Sequence, residues 1–436
     1  MNRVFLYFYF MNTSAIFDLF LKHKKVTTDT RHIEKNAIFF ALKGANFNGN
    51  QFANQAISQG AIAAIVDEKE YEDETKNIYF VEDGLTALQD LARAYRNYLK
   101  IPFIGLTGSN GKTTTKELIA STLKEKYKVH YTFGNLNNHI GVPLTILSIP
   151  EETEIAVIEM GANHQKEIEF LCTISQPDYG YITNFGKAHL EGFGGFEGVI
   201  KGKSELYNYL RNNNKKVFVN LEDPIQVEKT QEIEQITFGK KSGNFQILPG
   251  EETFDYIAVN FEGQTIQTHL TGAYNFSNIS CAIAMGKHFG LTTAEIKNGI
   301  ESYFPTNNRS QIIEREGYKI IMDAYNANPS SMEASLNNFK NFEGTKTVIL
   351  GDMFELGESS DNEHDNIANL AVKFNFDQIY LIGEHFLNSS VEANSIKKFR
   401  NRAEFEDYVK SNFTYTDTIL IKGSHGMRLD LLEKIM

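Results

Sequence analysis

The sequence predicts an α/β protein of three domains. These are a small α/β domain over residues 11–100, a parallel-sheet domain with a β insertion over 101–308, and a Rossmann-like domain over 309–436. Three observations predict it. The chain has 436 residues, too many for one core at about 100 to 200 residues per domain. Short apolar runs alternate with helical patterns from about residue 101 and again from Tyr318. A glycine-rich loop separates the first of those runs from its helix.

Taken in order, Ala37–Leu42 and Ala61–Val66 read as strands of the first domain, with the Gly/Asn-rich GANFNGNQF (44–52) as a binding loop. Pro102–Leu106 is a strand, followed by a helix with Leu118, Ile119 and Leu123 on one side. Ile155–Ile158, Tyr179–Thr183 and Val217–Val219 continue the pattern of a sheet buried on both faces. Residues 235–271 alternate apolar and polar, as at Ile257, Val259 and Phe261, which predicts an antiparallel insertion. Strands near Lys319–Met322, Thr347–Leu350, Gln378–Ile382 and Thr418–Ile421 build the last domain, and no 20–50-residue period indicates a solenoid.

Apolar residues at 42% and charged residues at 22% exclude a disordered, collagenous or coiled-coil chain. A net charge of −12 has the wrong sign for binding nucleic acid by counterion release. Cys172 and Cys281 lie in apolar stretches without metal-ligand spacing, so buried thiols in a reducing compartment are expected. The apolar start, residues 1–10, lacks a cleavage site and falls short of the ~20 residues of a span. We read it as preceding a true start at Met11, and with no other candidate span we expect a cytoplasmic protein.

The sharpest feature is TGSNGKTT (107–114) between a strand and a helix. Gly108 and Gly111 let the amides of Ser109, Asn110 and their neighbours converge on phosphate oxygens; Lys112 supplies a cation, and Thr113, followed by Thr114, a hydroxyl for Mg²⁺. ATP is the expected cofactor, and the domain is P-loop ATPase-like. The competing reading is a glycine turn with an exposed lysine. The common spacing GxxxxGK[ST] would put its first glycine at 106, which is Leu106, so the loop has the shorter form TGxxGKT. Such a loop needs a metal carboxylate at a neighbouring strand end, and Glu159 in AVIEMGAN (156–163) is the candidate. His189, in the glycine-rich KAHLEGFGG (187–195), is a candidate for a second metal position.

These residues resemble the Mur ligase family, ATP-dependent amide-forming enzymes of peptidoglycan synthesis. The resemblance runs from Met11 onward and is carried by TGSNGKTT, GNLNNHIGVPLTIL (134–147), EMGANHQKEI (159–168), TNFGKAHLEGFGG (183–195), DAYNANPSSM (323–332) and LGDMFELG (350–357). It implies a carbamylated lysine, matched best at Lys203 in KGKSELY (201–207), with Lys201 two residues away as the alternative. Lys112, Lys203 and His189 are then the catalytic set, and Thr113, Glu159, His189 and Lys203 hold Mg²⁺. Asn275 and Asn278 in GAYNFSNISCAIA (272–284), Arg309 and Asp323 are implied to meet the nucleotide. We leave Tyr274, where the family often has histidine, outside the set.

The resemblance further implies that Thr30 and Arg31 in TDTR (28–31), Lys43, Gly44 and Phe47 in ALKGANFNGNQF (41–52), and Asn138 bind a uridine-linked muramyl peptide. Tyr325, Asn326 and Asn328 line the C-terminal loop, Ser330 is expected to cap the helix that follows, and Lys422, Ser424 and His425 are further candidates against substrate. The implied partners are UDP-N-acetylmuramoyl-tripeptide and D-alanyl-D-alanine, joined by a monomeric enzyme. Competing readings are a third-residue-adding ligase, a folylpolyglutamate synthetase, or an ATP-dependent switch. No Asp-Asn-Pro-Arg string and no Asn-Lys-x-Asp guanine motif occurs.

Overall fold

In a computed structural model the described residues are 14–251, 256–306 and 308–436. The apolar start and the proposed Met11 initiation lie outside them. The chain forms two compact units, one comprising the residues up to Leu106 with Tyr127–Gly161 and Glu167–Gly180, the other Thr107–Lys126, Ala162–Lys166 and Tyr181–Met436.

The first unit opens on a parallel sheet of Val26–Thr27, Ile38–Phe40, Ala63–Val66 and Ile78–Phe80, in that spatial order. Ile38–Phe40 and Ala63–Val66 are buried throughout, which is why they read as unbroken apolar runs. The helix Gly84–Tyr98 starts where the Asp83 carboxylate accepts from the Thr86 amide, and buries Leu88, Leu91, Ala92 and Tyr95 on one face. Further along, Phe103–Thr107, Ile155–Glu159 and Val129–Tyr131 pair in parallel, with Leu106 opposite Glu159. Glu159 thus ends its strand beside the residue from which the glycine loop departs.

In the second unit the helix Lys112–Lys124 buries Leu118, Ile119 and Leu123, as its spacing predicts. Lys216–Asn220, Glu234–Gly239 and Phe245–Gln246 are parallel neighbours. The antiparallel insertion expected over 235–271 is therefore shorter. It comprises Leu248–Pro249, Ala258–Phe261 and Gln264–Gln267. Glu234–Gly239 alternates because Ile236 and Phe238 are buried while Gln235 and Thr237 are partly exposed. Alternation reports one-sided burial, which a strand near a sheet edge shares with an antiparallel one.

The C-terminal sheet runs Gln311–Arg315, Tyr318–Asp323, Thr418–Lys422, Lys346–Gly351, Gln378–Ile382 and Ile396–Phe399, parallel except for the first strand. Ile321, Val348, Leu350, Leu381 and Leu420 pack into a core on one face; Ile320, Met322, Ile349, Ile382, Ile419 and Ile421 pack on the other. Four of these six strands are read from the sequence; Gln311–Arg315 and Ile396–Phe399, less apolar and at the edges, are not. The helix Pro329–Phe339 is capped by Asn328, whose side chain accepts from the Ser331 amide while the Ser331 hydroxyl accepts from the Asn328 amide. Ser330 is not the cap: proline at the first helical position moves the cap one residue before it.

Candidate active site

The glycine loop has no room for other residues at two points. Gly108 has φ +142°, and a Cβ there would lie 2.0 Å from the Thr183 hydroxyl oxygen; Gly111 has φ +77°, with the Asn278 side chain 2.9 Å from the same construction. The loop is pinned from one side: Ser109 N–H donates to the Asn184 carbonyl (3.1 Å), Asn110 N–H to Asn184 Oδ1 (3.1 Å), and Thr183 Oγ1 donates to the Asn110 carbonyl (2.6 Å). Ser109 Oγ reaches the Gly186 carbonyl at 2.9 Å. Lys112 lies at the first helical position and its Nζ donates to the Gly108 carbonyl at 2.7 Å. A cation and a helix N-terminus therefore converge on one small cradle, an anion site by construction. Thr113 and Thr114 are buried in the first turn. Gly108→Ala should cost about 1–3 kcal/mol of stability through backbone strain and lower ATP affinity at least about tenfold. Thermal unfolding and a nucleotide titration check this, and unchanged values in both would refute the loop geometry.

His189 follows the same Thr183–Asn184 segment and has φ +52°, in the left-handed region. Its Nδ1 is hydrogen-bonded to Glu355 Oε2. Burial is the largest cause holding the imidazole below its ordinary pKa; Glu355 pulls the other way, while the positive charges of Lys112 and Lys203 add to the lowering. A neutral ring is the metal-binding form. Those two ammonium groups act on His189, so Lys112, His189 and Lys203 share one neighbourhood within the second unit. Lys203 closes the helix Phe196–Lys203 and is 1% exposed; its Nζ donates to the Ala162 carbonyl at 3.0 Å and lies 4.9 Å from the centroid of the Phe193 ring. Lys201 is exposed, which separates the two lysines that the sequence leaves as alternatives. In the first unit Glu159 is buried, accepts from Asn137 Nδ2 at 2.8 Å and has its amide on Thr132 Oγ1.

Asn275 and Asn278, expected against the nucleotide, are buried, and the Asn278 side chain lies against Gly111 of the loop. Asn278 Nδ2 donates to Asn275 Oδ1 (2.7 Å) and Asn275 Nδ2 to the Thr271 carbonyl (2.8 Å), while Asn278 Oδ1, beside Gly111, is buried without a hydrogen-bond partner among the described residues. The C-terminal residues come to the loop directly. Asn328 Nδ2 donates to Asn110 Oδ1 at 2.7 Å, the Lys187 amide to Ser330 Oγ at 2.9 Å, and Lys187 Nζ to Glu363 at 2.6 Å. Ser330 thus has a role other than the cap. The Arg309 guanidinium stacks 3.8 Å from the Tyr325 ring centroid, and Tyr325 is 5.6 Å from the His425 ring. Asp323 accepts from Lys422 Nζ at 2.6 Å and Ser335 Oγ at 3.0 Å; the two charged residues are register partners on neighbouring strands. Asn326 Oδ1 accepts from the Ala327 amide, and Ser424 Oγ from the Phe354 amide.

The N-terminal candidates lie in the first unit. Lys43, Gly44, Phe47 and Phe52 line a cleft of about 560 Å³, with Phe47 half exposed and stacked on Phe52 at 5.3 Å and 12°. Lys43 meets Asp67 at 3.1 Å. Burial acts to raise the Asp67 carboxyl, but hydrogen bonds from Asn50 and Lys43 outweigh it and hold it below the ordinary range. Asn50 is wholly buried between Asn48 and Asp67, a scaffold of the loop. Arg31 is exposed and pairs with Asp29, whose carboxyl its hydrogen bonds draw down to about 2, and Thr30 lies between them. Asn138 Oδ1 accepts from the Ile140 and Gly141 amides at the start of the helix Gly141–Leu147.

Glu355, Lys187, Thr183 and Asn184 contact the site yet are absent from the residues predicted; their signal is their place inside the strings TNFGKAHLEGFGG and LGDMFELG. Among the described residues no group of three or more His, Cys, Asp or Glu forms a metal cluster.

Known proteins resemble the chain over most of its length. Residues 22–96 match the Mur ligase family, catalytic domain; 106–286 the Mur ligase middle domain; and 308–425 the Mur ligase, glutamate ligase domain. The UDP-N-acetylmuramoyl-tripeptide–D-alanyl-D-alanine ligase of Bacillus subtilis is 35% identical over 425 residues, covering 94% of this chain and 92% of its own. A crystal structure of MurF from Acinetobacter baumannii superposes with a TM-score of 0.85 at 30% identity, covering 94% and 92%. That of MurF from Thermotoga maritima in complex with ADP gives 0.83 at 27%, covering 94% and 96%.

Proposed function

The chain belongs to the Mur ligase family, and we propose on that premise that it joins D-alanyl-D-alanine to UDP-N-acetylmuramoyl-tripeptide at the expense of ATP, yielding the pentapeptide precursor of peptidoglycan. The observation that carries the reading is 35% identity over 94% of the chain to a relative bearing that activity in its name. Three domains, 11–100, 101–308 and 309–436, are part of the proposal, supported by three successive family matches. So are action as a monomer and a cytoplasmic setting. The two cysteines are free and buried, in keeping with a reducing compartment, and no described helix is long and apolar enough to cross a membrane.

A carboxylate does not condense with an amine at neutral pH. The proposed route is attack of the tripeptide's terminal carboxylate on the γ-phosphate, giving an acyl phosphate and ADP, followed by attack of the dipeptide amine and loss of phosphate. The first step brings anions together. Lys112, on the loop, offsets that repulsion at the phosphates, and Arg309 is placed by Tyr325 for the same purpose. Bound Mg²⁺ supplies further charge neutralisation, and we assign Thr113, Glu159, His189 and, once carbamylated, Lys203 to hold it. An uncarbamylated Lys203 would repel the ion; the carbamate converts its ammonium into a carboxylate-like anion. Asn110 and Asn328 tie the phosphate loop to the C-terminal helix, which shields the acyl phosphate from water on that side.

The test is incubation with ATP, the UDP-muramyl tripeptide and D-alanyl-D-alanine, followed by mass spectrometry. The expected product is the tripeptide plus the dipeptide less one water, with one ADP formed per amide. ADP formation without that adduct, or the adduct without ATP, counts against the reaction.

A further inference from the structure

We propose that Glu355 is a positioning residue for this reaction, its carboxylate fixing the tautomer and direction of the His189 imidazole; the inference rests on the reading that His189 holds Mg²⁺. Glu355 Oε2 meets His189 Nδ1, and a carboxylate only accepts, so the proton resides on Nδ1 and Nε2 keeps its lone pair. A second tie runs between the same loops, from the Glu191 amide to the Glu355 carbonyl at 3.3 Å.

The segment that delivers Glu355 is fixed on both sides. Asp352 accepts from the His385 and Phe386 amides at 3.0 Å each, and the Met353 amide donates to His364 Nε2 at 3.0 Å. The Phe354 amide donates to Ser424 Oγ at 3.1 Å. Glu355 therefore approaches His189 from an anchored loop of the C-terminal sheet.

Stability does not account for the arrangement. Glu355 has φ +62° and His189 φ +52°, a region that costs side-chain-bearing residues energy, and the Glu355 side chain is 51% exposed. A hydrogen bond from a neutral imidazole to a half-exposed carboxylate returns little of that cost. Two strained residues aimed at each other across two loops fit a site that needs one imidazole orientation.

The experiment compares wild type, Glu355→Ala and Glu355→Gln. Imidazole ¹⁵N NMR of the metal-free protein, with the His189 signal assigned by its loss in His189→Ala, reads the tautomer. Mn²⁺ titration by electron paramagnetic resonance, with a non-hydrolysable ATP analogue, reads the metal site. Wild type should show the Nδ1–H form. Glu355→Ala should show a tautomer mixture, Mn²⁺ affinity about 10- to 100-fold weaker and a similar fall in kcat, with KM for the tripeptide and thermal unfolding unchanged. Glu355→Gln, whose amide oxygen still accepts, should recover the tautomer and most of the affinity. Wild-type tautomer and Mn²⁺ affinity in Glu355→Ala overturn the proposal. If His189→Ala itself leaves Mn²⁺ affinity intact, His189 is not a metal-holding residue, and Glu355 is judged on the imidazole signature alone.

Discussion

Lys112→Ala should abolish phosphate release that depends on both peptide substrates, a fall in kcat of about three orders of magnitude, while the protein stays folded. Lys112 Nζ rests on the Gly108 carbonyl at 2.7 Å and the Ser109 carbonyl at 3.4 Å, so the loop's own backbone holds its charge over the loop. Neither Lys203, which donates to the Ala162 carbonyl, nor Arg309, stacked on Tyr325, takes that place. The side chain is only partly buried and its removal opens no core cavity, so unfolding should hardly change. A coupled ADP assay checks the first half and thermal unfolding the second. Undiminished turnover would sink the assignment of the loop.

The loop was legible because its geometry leaves only certain letters. Nothing with a Cβ fits against Thr183 at position 108, and the cation must follow directly on the helix start, so glycines and lysine appear at fixed spacing. The C-terminal strands were legible for a similar reason, since burial on both faces removes polar residues from Ile320–Met322, Val348–Leu350 and Ile419–Ile421. Glu234–Gly239 was not, because one-sided burial looks the same in parallel and antiparallel strands. Nor was Glu355: a single glutamate in a loop has no periodicity, and what matters is a backbone conformation that no letter encodes. Asn275 and Asn278 illustrate a third limit. Their positions were marked, but not the chain of bonds from Asn278 Nδ2 to Asn275 and on to Thr271, which leaves Asn278 Oδ1 beside Gly111 without a hydrogen-bond partner among the described residues.

Net charge takes its meaning from the same geometry. A chain at −12 that handles anionic substrates must place its cations locally. In the second unit burial is the main cause holding the His189 pKa down, and the charges of Lys112 and Lys203 add to the lowering while Glu355 opposes it. Two ammonium groups beside one imidazole disfavour a bound Mg²⁺, and carbamylation of Lys203, as proposed above, would turn one of them into an anion.

Lys203→Ala is therefore expected to lose activity by at least about two orders of magnitude and to regain part of it, roughly tenfold, with added formate or acetate. Positions 201 and 203 lie two residues apart on one helix, and at 100° per residue they point to nearly opposite sides. Lys203 points inward, 1% exposed beside Phe193 and the Ala162 carbonyl, and Lys201 points to solvent. Truncation to alanine leaves a stem-sized space in which a small carboxylate can stand where the carbamate oxygens were; a longer acid such as benzoate should not rescue. Lys201→Ala should stay within about twofold of wild type, as expected of an exposed side chain. Intact-protein mass spectrometry in bicarbonate should show a 44 Da adduct on wild type that Lys203→Ala lacks. Full activity of Lys203→Ala without added acid, or an adduct that persists in it, moves the carbamate to another lysine.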